Sequence, residues 1–555
     1  MQTKTGNIHL EIQTSRKAPV GVLRTTSWDK KKKRVTHTQH GRITGCSINQ
    51  LKMLQSAFRG DLVPAGDSDA LKIIRSRELG ASQIILELAK ELGLNRLLYS
   101  RSEAWVDSAL AMIVGRIIFQ GSKLSLCNHS PNTTLWELCN IENPVVETHC
   151  YSPMDRLLKR QIAIQKKLAK KHLSDGAMVL YDITSSYFEG EYEQSELVSF
   201  GYNRDGKKGH EQVVIGLMTN VEGCPIGCEV FKGNTNDSTT VMDKIDEVRS
   251  SYGFKNFIFV GDRGMVTQGR FDEIRELDQI NSISALTHAQ LKTLLDREVL
   301  TPELFDEKNT LEIIDPEDSE LRYCLCKNPL TAEKERTTRL RLIALTTEGL
   351  EKIAAYKKSV TTDQLAARVG RLREKYKMGK FFDWSIKPCP EKEKSQHHKL
   401  NWTLKKEKVA QEERLDGCYV IRTDVPSETL DSSSVVNAYK SLGNVERAFR
   451  NLKTVQLEMR PFYHKTDDRI RAHVFLCMLA YYLQWHMMQR LQPLFKTDGI
   501  GSARRWTFSG VIDCLKNRQR HTVQLKGVEF EQDGEWTTEQ KRIVELLRHS
   551  HPSEI

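Results

Sequence analysis

Residues 178–184 read MVLYDIT, an apolar run with the length of a buried strand that carries an aspartate, Asp182, near its end. Two further apolar runs follow it, QVVIGLMTN (212–220) and CPIGCEVF (224–231), and a short turn containing glycine separates them. Short apolar runs bounded by turn residues are typical of strands that are covered on their faces. The three runs therefore predict the first three strands of one sheet.

A helix and a fourth strand follow these runs. Asp237 and Ser238 offer an N-cap for the amphipathic segment TTVMDKIDEVRSSYG, and Gly253 ends that segment. FIFVGDRG (257–264) then predicts a strand that finishes at Asp262. Three strands, a helix and another strand is the opening order of a ribonuclease H-like fold.

The predicted fold class is α/β, with a ribonuclease H-like catalytic core whose mixed sheet is interrupted by a long insertion. A mainly helical amino-terminal domain precedes the core, because apolar residues there recur at helical spacing. At 555 residues the chain is too long for one compact core. We predict a basic β-rich segment (1–60), a helical DNA-binding domain (61–174), the first part of the core (175–264), an insertion domain (265–415), the second part of the core (416–495) and a carboxyl-terminal segment (496–555).

Two carboxylates end strands that should be neighbours. The first and fourth strands of such a sheet lie side by side, so Asp182 and Asp262 are expected to converge at one edge. Carboxylate oxygens are the ligands that magnesium prefers. In phosphodiester transfer, two magnesium ions about 3.5–4 Å apart activate the nucleophile and stabilise the leaving oxygen. Bound metal also offsets the repulsion between crowded acids.

The third acid is expected on the long helix SSSVVNAYKSLGNVERAFRNLKT, which follows a further strand, DGCYVIRTD (416–424). Glu446 is the candidate. Around an ideal helix, Tyr439 and Lys453 lie within about 20° of Glu446, and Arg450 lies about 40° away. One helix face thus carries a phenol, a carboxylate and two cations, a pattern that favours a ligand-binding face.

Four stretches, YDITSSYFEG, GNTNDSTT, VGDRGMVT and YKSLGNVERAFRNLK, closely resemble the DDE transposases of bacterial and archaeal insertion sequences. The large branch of that superfamily has a Y-x2-R-x3-E-x6-K motif around its third acid. Here the motif reads Tyr439, Leu442, Glu446 and Lys453. The spacing is kept, but Leu442 stands where the branch has arginine, which removes one expected phosphate contact.

The resemblance implies a transposase that cuts the ends of a mobile element and joins them to a target by cut and paste. It implies Asp182, Asp262 and Glu446 as catalytic metal ligands, with two Mg²⁺ ions as the cofactor and Mn²⁺ as a substitute. It also implies double-stranded DNA with terminal inverted repeats as the partner, and a homodimer that spans two element ends. Branch members carry an insertion between the second and third acids that handles a DNA hairpin, and the interval here is long enough to contain one.

Further DNA contacts are predicted on the helix and in the insertion. Tyr439, Arg447, Arg450 and Lys453 are assigned to DNA beside the metals, where cations meet phosphates. Trp384 stands among basic residues, which suits base stacking on single-stranded or distorted DNA. Packing of Trp384 in a protein core is an equally open alternative.

Composition adds only broad limits. The net charge of +11 is mild for this length and does not by itself indicate a nucleic-acid partner. The twelve cysteines contain no CxxC pair, so we expect reduced, buried thiols and no zinc finger. The most apolar stretch, Val474 to Trp485, is too short to span a membrane. Since the amino terminus has no signal-type apolar run, we predict a cytoplasmic protein that is nucleoid-associated when bound to DNA.

Other interpretations of the same residues stay open. The fold also supports nucleases and junction resolvases that never transpose, and a decayed or domesticated copy would bind DNA without cutting it. Asp237 is favoured as an N-cap over a fourth metal ligand. The basic run from Lys30 to Arg34 is favoured as a solvated hairpin tip over a DNA contact.

Overall fold

The computed structural model describes residues 8–14, 18–29, 34–59, 71–207, 209–306, 308–356, 361–388, 398–496, 506–525 and 528–548. Lys30 to Lys33 of the predicted hairpin tip lie outside these residues, and so does the predicted border between residues 60 and 61.

The strands of the described residues are β1 (His9–Gln13), β2 (Val20–Asp29), β3 (Arg34–Ile43), β4 (Leu71–Glu78), β5 (Met178–Tyr187), β6 (Gln212–Thr219), β7 (Pro225–Lys232), β8 (Phe257–Gly261), β9 (Ile280–Ala285), β10 (Leu311–Asp315), β11 (Asp318–Lys327), β12 (Phe382–Pro388), β13 (His398–Leu404), β14 (Cys418–Thr423), β15 (Gln519–Leu525) and β16 (Val528–Asp533).

The α-helices of the same residues are α1 (Ile48–Phe58), α2 (Gly80–Glu91), α3 (Leu94–Leu98), α4 (Ala104–Ile118), α5 (Lys123–Asn128), α6 (Leu135–Leu138), α7 (Ser152–Lys159), α8 (Gln161–His172), α9 (Val241–Asp246), α10 (Gln268–Arg275), α11 (His288–Asp296), α12 (Pro329–Ala354), α13 (Thr362–Tyr376), α14 (Lys406–Glu413), α15 (Ser432–Lys440), α16 (Leu442–Arg450), α17 (Asp467–Arg490), α18 (Gln492–Lys496), α19 (Phe508–Lys516) and α20 (Thr538–Arg548).

The largest sheet has eight strands in the order β10-β11-β14-β9-β8-β5-β6-β7. Strand β8 pairs in parallel with β5 and with β9, while the other neighbouring pairs are antiparallel. The protein is thus a mixed α/β structure with a large mixed sheet, as the sequence predicted. The apolar runs around residues 178, 212, 225 and 257 form the strands expected of them. Each is a short run of apolar residues bounded by turn residues, which is the pattern of a buried strand.

Successive side chains of the central strands point to opposite faces of the sheet. Leu180 and Val260 belong to a core that also contains residues of α4, α16 and α17. Tyr181 and Phe259 belong to the core on the other face, with residues of α9 and α10. Helices therefore cover the sheet on its two faces.

The main sheet extends into the segment predicted as an insertion. Strands β9, β10 and β11 lie between residues 265 and 415, and β9 pairs directly with β8. The β9 sequence INSISA mixes apolar and small polar residues without regular alternation, which is a weaker strand signal than an uninterrupted apolar run. The predicted strand β14 is present, but it pairs antiparallel with β9 and does not touch β8. Helices α12 and α13 and the β12–β13 hairpin form a small core of their own.

The amino-terminal part is mainly helical from α2 to α8, but it also contains β4. Strand β4 forms a three-stranded sheet with β15 and β16 of the carboxyl-terminal segment. Strands β1 to β3 form a separate antiparallel sheet before these helices. In the part of the chain that the structure describes, no helix has the length and apolar character needed to cross a lipid bilayer. The apolar helix α17 is instead buried in the main core.

Candidate active site

Asp182 and Asp262 lie next to each other along two adjacent parallel strands. Tyr181 is paired with Gly261 across β5 and β8, so Asp182 is the next residue of β5 and Asp262 is the residue immediately after β8. By alternation, Asp182 and Asp262 lie on the same face of the sheet as Leu180 and Val260, which is the face that α16 covers. The predicted convergence of these two carboxylates is therefore what the pairing register produces.

Glu446 comes to this face on α16, which packs on the sheet through Val445, Ala448 and Phe449 and leaves Glu446 exposed. The pKa of Asp182 is raised to about 7, chiefly because its carboxyl group is withdrawn from water. The backbone N–H of Ile183 donates to Oδ1 of Asp182 at 2.8 Å and opposes this rise. The negative charges of Asp262 and Glu446 raise the pKa of Asp182 further. The charges of Asp262 and Glu446 therefore both act on the carboxyl group of Asp182, which indicates that the three predicted acids lie near one another.

Tyr439, at the end of α15, interacts directly with one of these acids. Its hydroxyl donates a hydrogen bond to Oδ1 of Asp262 at 3.0 Å. Burial, followed by the charge of Asp262, raises the pKa of Tyr439 well above its usual value, so the phenol keeps its proton and remains a donor. The structure therefore places Tyr439 at the site as a partner of Asp262, whereas the sequence pattern predicted a contact of Tyr439 with DNA.

The side chain of Lys453 points into the protein. Its ammonium donates to Oγ1 of Thr184 at 2.6 Å and to Oδ1 of Asp205 at 3.1 Å, and only 9% of the side chain is exposed. Arg460 binds the other carboxylate oxygen of Asp205 at 2.8 Å. Burial lowers the pKa of Lys453, and the charge of Asp205 opposes that change. Lys453 thus lies beside the acids, since Thr184 follows Asp182 on the same strand face, but its ammonium is already bound.

The helix that carries these residues is less regular than predicted. The predicted single helix is broken at Ser441 between α15 and α16, and Asn451–Val455 forms a π turn after α16. Lys453 lies in this π turn, which takes more residues per turn than an α-helix. Its ammonium reaches Thr184 on β5 and Asp205 in the loop that follows β5.

Arg447 and Arg450 remain on the outer face of α16. Their side chains are exposed, and within the described residues neither makes a hydrogen bond or an ion pair. They are therefore the cations of this helix that the structure leaves available for an anionic ligand. Leu442, which replaces the motif arginine, is 8% exposed and belongs to the main core.

A second charged pair, which was not predicted from the sequence, lies near the acids. Arg204 forms an ion pair with Asp237, and its backbone N–H donates to Oγ of Ser185 at 2.9 Å. The charge of Arg204 lowers the pKa of Asp182. Asp237 does not cap the following helix through its side chain, so the predicted N-cap role is replaced by this pair. The only sequence signal was a polar loop, NRDG, between two buried strands.

Trp384 lies far along the chain from these residues, on β12 of the insertion. It is opposite Trp402 in the β12–β13 hairpin and packs against the small core around Phe381 and Leu400. The side chain is half-buried. This position agrees with the packing alternative, and base stacking by Trp384 stays a prediction.

The donor set at the site suits a hard divalent cation. Asp182, Asp262 and Glu446 offer carboxylate oxygens and no thiol or imidazole, which favours magnesium or manganese over zinc. The pKa of Asp182 is raised by the charges of the other two acids, a repulsion that a bound cation relieves. The residues present therefore fit the metal that the motifs imply.

Comparison with protein families identifies the family of this chain. The family model described as Transposase DDE domain matches residues 178–483, more than half of the chain and all of the segment that carries the three acids. The chain therefore belongs to the transposase DDE domain family. It is a DDE transposase of an insertion sequence, as its motifs predicted, and membership implies that its partner is DNA. Comparison with curated proteins found no match.

Proposed function

We propose that this transposase catalyses metal-dependent cleavage of transposon ends followed by strand transfer, so that an insertion sequence moves by cut and paste. The main support for the proposal is that Asp182 on β5 and Asp262 at the end of the adjacent parallel strand β8 lie close together, and that the charges of Asp262 and Glu446 both act on Asp182. Carboxylates at such an edge suit a pair of metal ions at one phosphodiester.

The catalytic core is proposed to be ribonuclease H-like. Strands β7, β6, β5, β8 and β9 lie in that spatial order, with β5 antiparallel to β6 and parallel to β8. This supports a core of five strands in which β9 completes the set and β10, β11 and β14 extend the sheet. The helices α2 to α8 are proposed to belong to an amino-terminal DNA-binding domain.

Asp182, Asp262 and Glu446 are proposed to hold two Mg²⁺ ions, with Mn²⁺ able to replace them. Bound ions of this kind lower the pKa of an attacking water or hydroxyl and stabilise the departing oxygen. Tyr439 fixes the rotamer of Asp262 through the hydrogen bond between them. Arg447 and Arg450, exposed on α16, would meet the phosphates that flank the scissile bond.

Two displacements at phosphorus follow one another in the proposed reaction. In the first, water attacks the phosphorus at the element end, the bond from phosphorus to the 3′ oxygen breaks, and a 3′-hydroxyl is released. In the second, this hydroxyl loses its proton and attacks a target phosphodiester, and a 3′ oxygen of the target leaves. Two copies of the chain are proposed to act on two ends that carry terminal inverted repeats.

Nicking and strand transfer on a duplex that carries an element end test the proposal. Asp182→Asn, Asp262→Asn and Glu446→Gln remove charge at constant size, and each is expected to abolish nicking in Mg²⁺ while a gel shift shows end binding retained. Glu189→Gln, an exposed acid just after β5, is the matched control and should nick like the wild type.

The outcomes separate the proposal from its alternatives. Substantial nicking by any of the three variants would remove that residue from the site. Nicking by the wild type without strand transfer would indicate a nuclease, and end binding without nicking would indicate a copy that has lost catalysis.

A further inference from the structure

A second cluster of ligand-type side chains lies apart from the three acids. His172 ends α8, Cys224 immediately precedes β7, and His486 lies on α17. One potential ligand atom from each residue lies within 4.8 Å of the others, and this is the group of three such side chains found in the described part of the chain. Cys224 and His486 are 0% and 3% exposed, and His172 is half-buried.

The donor types select the kind of ion. One thiol and two imidazoles suit zinc, whereas magnesium and calcium require oxygen ligands. In a tetrahedral zinc site with bonds of about 2.0–2.3 Å, ligand atoms stand about 3.3–3.7 Å apart. Atoms that already lie within 4.8 Å therefore reach this spacing by small side-chain rotations.

Aromatic neighbours orient the two imidazoles. The hydroxyl of Tyr482 lies 3.0 Å from Nε2 of His172, and the Tyr482 ring packs edge-on against His486 at 4.7 Å between centroids. The ammonium of Lys171 donates to the same hydroxyl at 3.2 Å and to the carbonyl of Leu92 at 3.0 Å. Partners that fix the ring of a ligating histidine are a regular part of metal sites.

The cluster also lies where three parts of the fold meet. Cys224 ends the turn between β6 and β7, and Trp485, next to His486, donates through Nε1 to the carbonyl of Glu222 in that turn at 3.3 Å. Asn444, two residues before Glu446 on α16, donates to the carbonyl of Val221 in the same turn at 2.9 Å. An ion held by Cys224 would therefore fasten the turn on which the glutamate helix rests.

We propose that His172, Cys224 and His486 bind one structural zinc ion, with water as the fourth ligand, and that this ion joins α8, the β6–β7 turn and α17. Cys224 releases its thiol proton to solvent on binding, and the thiolate balances one charge of the ion. The proposal stands independently of the phosphodiester chemistry proposed for the acids.

Metal analysis of the full-length protein, purified without a polyhistidine tag, tests the proposal directly. We expect about one zinc per chain after desalting, as for a structural site with high affinity. Cys224→Ser and His172→Ala should lose this zinc. Cys228→Ser, a buried cysteine on β7 outside the cluster, is the matched control and should retain it. Asp182→Asn should also retain it, which separates the cluster from the catalytic acids.

Cobalt replacement in the wild-type protein avoids any variant that fails to fold. After zinc is removed with a chelator, added Co²⁺ should give tetrahedral d–d bands and a thiolate-to-cobalt charge-transfer band. Zinc added back to the metal-free protein should raise its melting temperature. Wild-type protein without zinc, cobalt spectra without a thiolate band, or zinc retained by Cys224→Ser would each overturn the proposal.

Discussion

The ammonium of Lys453 is bound to the carboxylate of Asp205 at 3.1 Å, and Arg460 holds the other oxygen of the same carboxylate at 2.8 Å. Thr184 completes the contacts of Lys453 at 2.6 Å, on the strand that carries Asp182. The family lysine is thus part of a buried network that fixes the end of α16 against β5. These buried contacts indicate that Lys453 stabilises the fold at the end of α16.

Lys453→Ala should lower the stability of the protein. Asp205 is left with a single cation, and the lost buried interactions should cost about 1–3 kcal/mol, less than a fully unpaired buried charge because Arg460 remains. Thermal melts followed by circular dichroism measure the effect. A melt equal to that of the wild type, together with a reduced salt dependence of DNA binding, would instead show that Lys453 reaches a phosphate.

Arg450→Ala should behave in the opposite way. Its side chain is exposed and makes no bond within the described residues, so the melting temperature should not change. Loss of one phosphate contact should reduce the slope of log affinity against log salt by about one unit. Arg249→Ala, exposed on the opposite face of the sheet, is the control and should leave the slope unchanged. Equal slopes for Arg450→Ala and the wild type would remove this part of α16 from the DNA interface.

Leu442→Arg, which restores the arginine of the family motif, should destabilise this protein. Leu442 is 8% exposed in the main core, so a guanidinium there would be buried without a built partner, at a cost of several kcal/mol. Leu442→Met keeps the volume and the apolar character, and it should melt close to the wild type. Tighter end binding by Leu442→Arg at an unchanged melting temperature would mean that position 442 faces DNA.

Tyr439→Phe should weaken the binding of Mg²⁺ at the acids while leaving the fold intact. The variant removes the hydrogen bond to Asp262, so this carboxylate loses a fixed rotamer and nicking should fall by about 10-fold, equivalent to about 1.4 kcal/mol. The concentration of Mg²⁺ that gives half-maximal nicking should rise. Tyr463→Phe, on an exposed tyrosine, serves as the control. Unchanged magnesium dependence would show that the phenol does not position Asp262 for metal binding.

Metal binding should depend on pH in the neutral range. The pKa of Asp182 is raised to about 7 by burial and by the charges of Asp262 and Glu446, so the metal-free protein holds a proton there as pH falls below that value. Because the metal must displace this proton, affinity should fall by up to about tenfold for each pH unit below about 7. Manganese titrations at several pH values measure the trend.

A charge variant checks the origin of that trend. Glu446→Gln removes a proposed ligand and should lower affinity at every pH, but it also removes one of the charges that raise the pKa of Asp182, so the further fall in affinity should begin at a lower pH than in the wild type. Asp468→Asn, at the start of α17, is a charge-matched control and should not move the profile. A flat profile between about pH 6 and pH 8 in the wild type would contradict the protonation of Asp182.

The sequence by itself was enough to predict the central strands and to predict that Asp182 and Asp262 belong to two of them. Short apolar runs bounded by turn residues are typical of buried strands, so β5, β6, β7 and β8 could be predicted from run length and turn residues. The expected neighbouring of the first and fourth strands then predicted that Asp182 and Asp262 converge at one edge of the sheet. The residues around Glu446 matched a family motif, and that match supplied the third acid.

Only the tertiary structure decided the features that depend on distant contacts. Strand β9 is interrupted by serines, and its place beside β8 comes from sheet pairing. Lys453 lies in the π turn at Asn451–Val455, and its buried contacts with Asp205 and Thr184 are tertiary contacts that helical spacing alone does not predict. His172, Cys224 and His486 share no motif spacing, because three separate elements bring them together. The pattern of apolar and polar residues along a segment indicates its local conformation and burial. Which distant residues come into contact depends on how the helices and strands pack together.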